Sequence, residues 1–204
     1  KQLTLQIKEL SVISLRKNYG QTAAMSAGFD NSKGDIVITL DGDLQNDPND
    51  IPKLISEINK GYDLICGWRF DRKDKLINRK IPSKIANKLI AQVTGLKLHD
   101  YGCSLKAFKK EIINDIKLYG ELHRFLPVLA NIEGARIKEI KVNHRSRQYG
   151  SSKYGIDRTF RVLMDLLTVW FITKFLTRPM YGFGFVGIIS ILISLAMSSY
   201  LIVL

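Results

Sequence analysis

The 26 residues from Pro179 to Leu204 contain no charged side chain, and no other feature of the sequence constrains its fold as strongly. About 20 consecutive apolar residues suffice for a helix to cross the hydrocarbon core of a bilayer. The segment therefore predicts a transmembrane helix, with a buried helix of a soluble protein as the alternative. Lys174 and Arg178 come just before it and favour entry from the cytoplasm, hence the inner (plasma) membrane with the preceding domain in the cytoplasm. Its small residues suit close helix packing and are compatible with a homo-oligomer.

The segment before this helix, Tyr154 to Phe175, mixes bases and acids with aromatic and aliphatic residues such as Phe160 and Trp170. This mixture is typical of an amphipathic helix at a membrane surface. A helix that packs on the preceding domain is the alternative, and the position beside the apolar segment favours the membrane.

The first two thirds of the chain alternate between short β-branched runs and helical patterns. Strands are predicted at Leu10–Leu15, Asp35–Leu40 and Tyr62–Cys66. The helices between them are predicted at Gln21–Phe29 and from Asp47-Pro48 to about Lys60. A basic helix at about 78–94, two helices at 109–118 and 122–133, and a strand at 136–144 follow. This order predicts an α/β fold with a mostly parallel sheet flanked by helices.

Two carboxylates, Asp41 and Asp43, come directly after the predicted strand DIVITL and are followed by Gln45. In open α/β sheets, ligands bind beyond the carboxyl ends of the strands. Carboxylates this close repel each other unless a cation lies between them. Carboxylate and amide oxygens are ligands of Mg²⁺ or Mn²⁺, so we expect Asp41, Asp43 and Gln45 to hold such an ion.

Basic residues (Lys and Arg) outnumber acidic residues (Asp and Glu) by 31 to 19, which gives a net charge of +12 and favours anionic partners. The bases cluster between Trp68 and Lys88 and between Arg136 and Arg161. We expect Arg147 and Lys153, which flank a glycine-containing turn, to bind phosphate, and the scattered bases to attract anionic lipid headgroups. Aromatic side chains on which nucleobases could stack are not interleaved with the basic residues of these clusters, so we expect no nucleic-acid partner.

Several ordered motifs in the chain match those of one enzyme family. They are Arg16-Lys-Asn18-Tyr-Gly20 with Ala24 and Gly28, Asp41-Gly-Asp43-Leu-Gln45, Gly67-Trp-Arg69, Asp100-Tyr-Gly102-Cys, and Arg147-x-x-Gly150-x-Ser152-Lys153-Tyr154. Together they resemble family 2 glycosyltransferases, and most nearly the polyprenyl-phosphate branch that includes dolichyl-phosphate mannose synthases. The resemblance runs from about Leu10 to the end of the chain.

The resemblance implies a GT-A (Rossmann-like) fold and inverting, metal-dependent transfer of a sugar from a nucleotide-sugar donor (UDP- or GDP-linked) to a polyprenyl phosphate. Asp41, Asp43 and Gln45 would hold the metal. Four bases would contact phosphates of the donor or of the lipid, namely Arg69, Arg79, Arg147 and Lys153.

The expected division of the chain is a catalytic domain at 1–150, a basic loop with the juxtamembrane helix at 151–178, and a transmembrane helix at 179–204. The family's usual opening strand with its base-binding turn is not found before Lys1. We therefore expect the N-terminal part of the catalytic domain to be missing.

The catalytic candidates are Asp43, through the metal, and Asp100, as a base or as a carboxylate that orients the acceptor. A structural Asp that caps the turn before Gly102 is the alternative for Asp100. His123 and Arg124 form a second candidate pair. The alternatives for the whole protein are a processive polysaccharide synthase, whose Q-x-x-R-W motif is absent, and an inactive membrane-anchored scaffold that binds polyanions.

Overall fold

The computed structural model describes residues 6–70, 87–88, 90–92, 94–146, 157–175 and 179–203. The chain divides into two compact units, Lys1–Tyr154 and Gly155–Leu204. The strands of the first unit are β1 (Ile36–Thr39), β2 (Leu64–Arg69), β3 (Lys106–Lys109) and β4 (Ile137–Val142). Its helices are α1 (Gln21–Asn31), α2 (Ile51–Asn59), α3 (Lys110–Asp115) and α4 (Leu126–Ile132), with 3₁₀ turns at Pro48–Asp50 and Leu122–Phe125.

The four strands form one mixed sheet in the order β1-β3-β2-β4. β2 and β4 pair in parallel, whereas β3 pairs antiparallel with both β1 and β2. Three of the four strands therefore run in one direction, as predicted, and β3 runs against them. The sequence pattern does not predict β3, because KAFK is short and has a lysine at each end.

Alternation along the strands separates two apolar layers. Leu64 and Cys66 of β2 pack on one face with Phe29 of α1, whereas Ile65 packs on the other face with Leu54 of α2. Successive side chains of a strand point to opposite faces, so helices cover both sides of the sheet. This three-layer arrangement is the flanked sheet that the sequence predicts.

Helix α2 starts where the sequence predicts. The Asp47 carboxylate accepts a hydrogen bond from the Asn49 N–H at 3.1 Å, and Pro48 occupies the first position of the 3₁₀ turn that leads into the helix. Gly61 ends the helix with a φ of 104°, a conformation that favours glycine.

An ion-pair cluster around Asp63 joins three strands at one end of the sheet. Its carboxylate accepts hydrogen bonds from the Arg136 N–H at 2.8 Å, the Arg136 Nε at 3.1 Å and the Lys109 Nζ at 2.7 Å. The hydrogen bond from Arg136, assisted by Lys109, holds the pKa of Asp63 far below its usual range.

The prediction of a strand at Leu10–Leu15 is wrong. These residues have no regular secondary structure, and the side chains of Leu10, Val12, Ile13 and Leu15 are exposed. A strand forms only beside a partner that accepts its backbone hydrogen bonds, and none of the four described strands pairs with this segment. For the basic helix predicted at 78–94, the residues described between 87 and 94 are helical, and the rest lies outside the described residues.

The second unit contains α5 (Asp157–Phe175) and α6 (Pro179–Val203). The two helices contact each other through aromatic rings, with the Phe171 and Phe183 centroids 5.5 Å apart. Gly182 lies so close to Phe175 that a Cβ atom there would come within 3.2 Å of the ring. The stretch Pro179–Ile202 is long and apolar enough to cross a membrane, with a mean hydropathy of 2.2, and none of it is buried within the structure.

Candidate active site

One edge of the sheet collects the residues that the sequence singles out. β1, β2 and β4 all end at this edge, and antiparallel β3 begins there, since Thr39 pairs with Lys106. The segments Asp41–Gln45, Arg69, Asp100–Cys103 and His144–Arg145 therefore all adjoin it. Ligand sites of α/β proteins occur at such an edge.

The carboxylate loop after β1 has a defined backbone. Gln45 donates its backbone N–H to Asp43 Oδ1 at 3.2 Å, and Leu44 between them has a φ of 61°. It is the one non-glycine residue with positive φ among the described residues. Such a conformation is uncommon for leucine and is found where a loop must present its neighbours in a set orientation. The carboxylates of Asp41 and Asp43 are half-buried at the surface of this loop.

The segment after β4 lies against this loop. The Arg145 N–H donates to Gln45 O at 2.8 Å, and His144 forms an isolated antiparallel bridge with Asn46. Arg145 Nη2 lies 2.8 Å from Asp47 Oδ2. The Asn49 N–H and, secondarily, Arg145 lower the pKa of Asp47. Sequence reasoning did not assign a role to His144 or Arg145, although the parallel strands β1 and β4 could have indicated that their ends lie at one edge.

Helix α1 begins next to the same loop. Gln21 donates from Nε2 to Asp41 Oδ1 at 3.3 Å, and the adjacent Thr22 Oγ1 lies 2.8 Å from His123 Nδ1. Arg124, the other member of that candidate pair, donates from Nη2 to Glu121 at 3.2 Å. His123 is thus connected to the carboxylate loop through Thr22 and the adjacent Gln21. A catalytic role for His123 and Arg124 stays a prediction.

Arg69, which is half-buried, and Asp100, which is buried, form an ion pair at the end of β2. Arg69 donates from Nε to Asp100 Oδ2 at 2.6 Å and from Nη2 to Oδ1 at 2.8 Å, which is the two-point geometry of a strong guanidinium–carboxylate pair. Asp100 Oδ1 also accepts the Gly102 N–H at 3.1 Å, the hydrogen bond expected of an Asp that caps this turn. A Cβ atom on Gly102 would lie 3.2 Å from Arg69 Nη2, so glycine keeps room for the guanidinium.

Gly67 allows β2 to pack closely against Cys103 and Leu105. A Cβ atom at this position would lie 2.8 Å from Leu105 O and 3.0 Å from Cys103 Sγ. Cys66 and Cys103 are both buried free thiols, and burial raises the pKa of Cys66 to about 12. Neither thiol is suited to nucleophilic chemistry, since the thiolate is the reactive form.

Three of the expected phosphate-binding residues, Arg79, Arg147 and Lys153, lie outside the described residues. Their roles stay predictions, as does the catalytic role of Asp100.

The donor set after β1 fits a hard divalent cation. Asp41 and Asp43 supply carboxylate oxygens and Gln45 an amide oxygen, which are ligand types that Mg²⁺ and Mn²⁺ accept. Within the described ranges, no three His, Cys, Asp or Glu side chains converge into a metal-binding group. With three donors supplied by the chain, an ion bound here would keep positions for water or for substrate oxygens, as is usual for Mg²⁺.

Solved structures share this fold. Mycobacterium tuberculosis glucosyl-3-phosphoglycerate synthase, in a complex with Mn²⁺ and UDP-glucose, superposes with a TM-score of 0.56 over 83% of this chain and 58% of that one, at 14% identity. A second complex of that enzyme, with Mg²⁺ and UDP, gives a TM-score of 0.55, also at 14% identity. At this identity the likeness defines the fold, which is a GT-A-like mixed sheet flanked by helices.

Sequence comparison gives the family. Residues 1–117 match glycosyl transferase family 2. The chain is 52% identical over 182 residues to dodecaprenyl-phosphate galacturonate synthase of Rhizobium johnstonii, covering 88% of this chain and 54% of that protein. It is 40% identical over 176 residues to undecaprenyl-phosphate 4-deoxy-4-formamido-L-arabinose transferase of Pseudomonas fluorescens, covering 86% and 52%. The chain belongs to glycosyl transferase family 2, and it spans about half the length of the curated relatives it matches.

Proposed function

We propose that this protein transfers a sugar from a nucleotide-sugar donor to a polyprenyl phosphate, with inversion at the anomeric carbon and with the help of Mg²⁺ or Mn²⁺. The observation that carries the proposal is the single sheet edge that brings together the carboxylate loop, the Arg69–Asp100 pair and the segment after β4. The names of two relatives, both polyprenyl-phosphate sugar transferases, support this acceptor class.

The donor would bind at the carboxylate loop. Asp41, Asp43 and Gln45 would hold the divalent ion, which supplies Lewis-acid stabilisation of the nucleoside diphosphate as it leaves. The Leu44 conformation fixes the orientation of its two neighbours before the donor arrives, so little reorganisation is needed.

The acceptor phosphate would bind beside Arg69. Because a phosphomonoester has a second pKa near ~6, its oxygen is already anionic at neutral pH. That oxygen attacks the anomeric carbon, the bond from this carbon to the donor phosphate oxygen breaks, and the nucleoside diphosphate departs with the electron pair. No strong base is needed, and the main task of the protein is to hold two anions close together.

Asp100 would orient the Arg69 guanidinium and would not remove a proton. Its carboxylate accepts hydrogen bonds from two nitrogens on one edge of the Arg69 guanidinium, Nε and Nη2, and caps the turn at Gly102. Arg79, Arg147 and Lys153 would add further positive charge for the phosphates, the last two from a loop near the membrane.

The protein would work at the inner membrane, with the catalytic domain in the cytoplasm. Helix α6 has the length and composition of a membrane span. Helix α5 exposes the apolar side chains of Met164, Leu167 and Trp170, which suits a position at the membrane surface. The chain would divide into a catalytic domain (1–150), a loop with its juxtamembrane helix (151–178) and a membrane helix (179–204), and the protein would form a homo-oligomer.

The test is a transfer assay with the full-length protein in detergent. Polyprenyl phosphate is mixed with a panel of radiolabelled UDP- and GDP-sugars, with Mn²⁺ or with EDTA. We expect label in the lipid phase with one donor and only with metal. A folded protein that labels no lipid with any donor would favour the scaffold alternative.

A further inference from the structure

Glu139, in the middle of β4, has no role in the proposed reaction, but its carboxylate accepts three hydrogen bonds from the segment that carries Asp100. Its side chain is 9% exposed. Oε2 accepts hydrogen bonds from the His99 N–H at 3.0 Å and from His99 Nδ1 at 2.7 Å, and Oε1 accepts the Asp100 N–H at 2.8 Å. A carboxylate only accepts, so the contact with Nδ1 places a proton on that nitrogen.

All three hydrogen bonds go to residues 99 and 100, and residue 100 carries the carboxylate that holds Arg69. Glu139 thus fixes the backbone of Asp100, and Asp100 fixes the Arg69 guanidinium through two hydrogen bonds. The Asp100 side chain is 5% exposed and the Arg69 side chain is 16% exposed. The contacts from Glu139 to Asp100 and from Asp100 to Arg69 are therefore largely shielded from water.

A ring contact also joins residues 68–69 to residues 99–100, in addition to the ion pair. The His99 imidazole stacks on Trp68, with centroids 4.1 Å apart and planes inclined by 14°. Trp68 directly precedes Arg69, so the pair Trp68-Arg69 faces the pair His99-Asp100 through one stack and one ion pair. Glu139 holds the second pair by both backbone N–H groups and by the imidazole.

We propose that Glu139 is a positioning residue for phosphate binding by Arg69. The inference rests on the proposed function. A guanidinium recognises phosphate with a fixed fork of donors, so its orientation matters as much as its charge. Residues that orient the ligands of a metal typically contribute about 10- to 100-fold in affinity or activity, and we take the lower end of that scale for a residue that orients a phosphate ligand.

The test compares Glu139→Gln with a matched control, Glu57→Gln. Glu57 also accepts from two neighbours, Lys60 at 2.9 Å and Lys138 at 2.7 Å, but it lies on α2 away from the Asp100 segment. The glutamine amide cannot accept at both ends, so Glu139→Gln loses at least one hydrogen bond without a change of shape. We expect kcat/KM for polyprenyl phosphate to fall about 10-fold or more, mainly through KM, and the control to stay within about 2-fold.

A double variant separates positioning from a general structural effect. If Glu139 acts through Arg69, then Glu139→Gln added to Arg69→Ala changes kcat/KM by less than about 2-fold, because coupled residues are not additive. An undiminished 10-fold effect in that background would overturn the proposal.

A spectroscopic arm tests the positioning without any donor. The chain has two tryptophans, so Trp170→Phe leaves Trp68, which stacks on the His99 ring, as its reporter. In this background we expect Glu139→Gln to change the Trp68 emission, because the His99 ring stacked on Trp68 loses its carboxylate partner, and Glu57→Gln to leave the emission unchanged. Equal emission from both variants would refute the role of Glu139 even if the parent protein transferred no sugar. Absence of transfer by the parent would refute the proposed function alone.

Discussion

Replacing Asp100 with asparagine should weaken both the fold and the use of the acceptor. The carboxylate accepts from Arg69 Nε at 2.6 Å, from Arg69 Nη2 at 2.8 Å and from the Gly102 N–H at 3.1 Å. Asparagine keeps one oxygen and turns an NH₂ group toward a donor. A hydrogen bond to a charged group contributes about 1.5–3 kcal/mol, and the guanidinium also loses its counter-charge. We therefore expect a loss of about 3 kcal/mol in the free energy of unfolding, or a Tm lowered by roughly 6–12 °C.

The chain supplies its own reporter for this measurement. Cys66 and Cys103 are its two cysteines, and both are buried, with thiol pKa values raised by burial. A fluorogenic thiol reagent at pH 8 will therefore label the chain only as it unfolds, which gives Tm in detergent. Asp30→Asn is the control, because Asp30 is exposed and its replacement should change stability by less than about 0.5 kcal/mol.

Kinetics on the same variant distinguish an orienting carboxylate from a base. Orientation predicts a raised acceptor KM together with the lowered Tm. An Asp100→Asn protein that keeps its Tm within about 2 °C and its acceptor KM, but has lost kcat, would refute this reasoning and restore Asp100 as the base.

Three further predictions concern the metal, the acceptor and pH. Asp43→Asn should abolish transfer and leave Tm unchanged; wild-type turnover in buffer with Mn²⁺ would exclude Asp43 as a ligand. Lys153→Ala should raise the KM for polyprenyl phosphate by about 10-fold, as expected for the loss of a charge-assisted contact, and unchanged acceptor kinetics would count against that role. The pKa of Asp63 is lowered in the folded state, mainly by Arg136, so its contribution to stability is complete above the unfolded pKa of about 3.9 and is lost as pH falls below it. Between pH 6 and pH 3, Tm of Asp63→Asn should therefore fall less than that of the parent, and parallel curves would contradict this assignment.

Much of the fold could be predicted from local pattern. The β-branched run before Asp41 forms β1, the Asp47-Pro48 start and the Gly61 end define α2, and the uncharged C-terminal run forms α6. Each of these depends on residues close together in the chain, where propensity and capping act.

What the sequence did not predict depends on contacts between distant residues. β3 is recognisable only beside β1 and β2, because its four residues carry no clear alternation. Leu10–Leu15 has the composition of a strand, but no described strand pairs with it. For the site, the motifs located Asp41, Arg69 and Asp100, but the ion pair of Arg69 with Asp100 joins positions 31 residues apart.

The role of Glu139 was likewise invisible, because it depends on a contact across 39 residues of sequence. An alternating strand with one acidic residue predicts a solvent-facing side chain. In the structure, that side chain is covered by residues 99 and 100.

Whether a phosphate oxygen is the nucleophile is tested by offering the full-length protein two acceptors that differ by one group, polyprenyl phosphate and the corresponding polyprenol, with the donor that gives transfer. Mass spectrometry of the lipid phase identifies the product, and release of free sugar reports hydrolysis. We expect glycosyl phosphate from the phosphorylated lipid and no product from the alcohol, because an anionic oxygen is the nucleophile. Glycosylated polyprenol, or free sugar as the main product with both lipids, would contradict it.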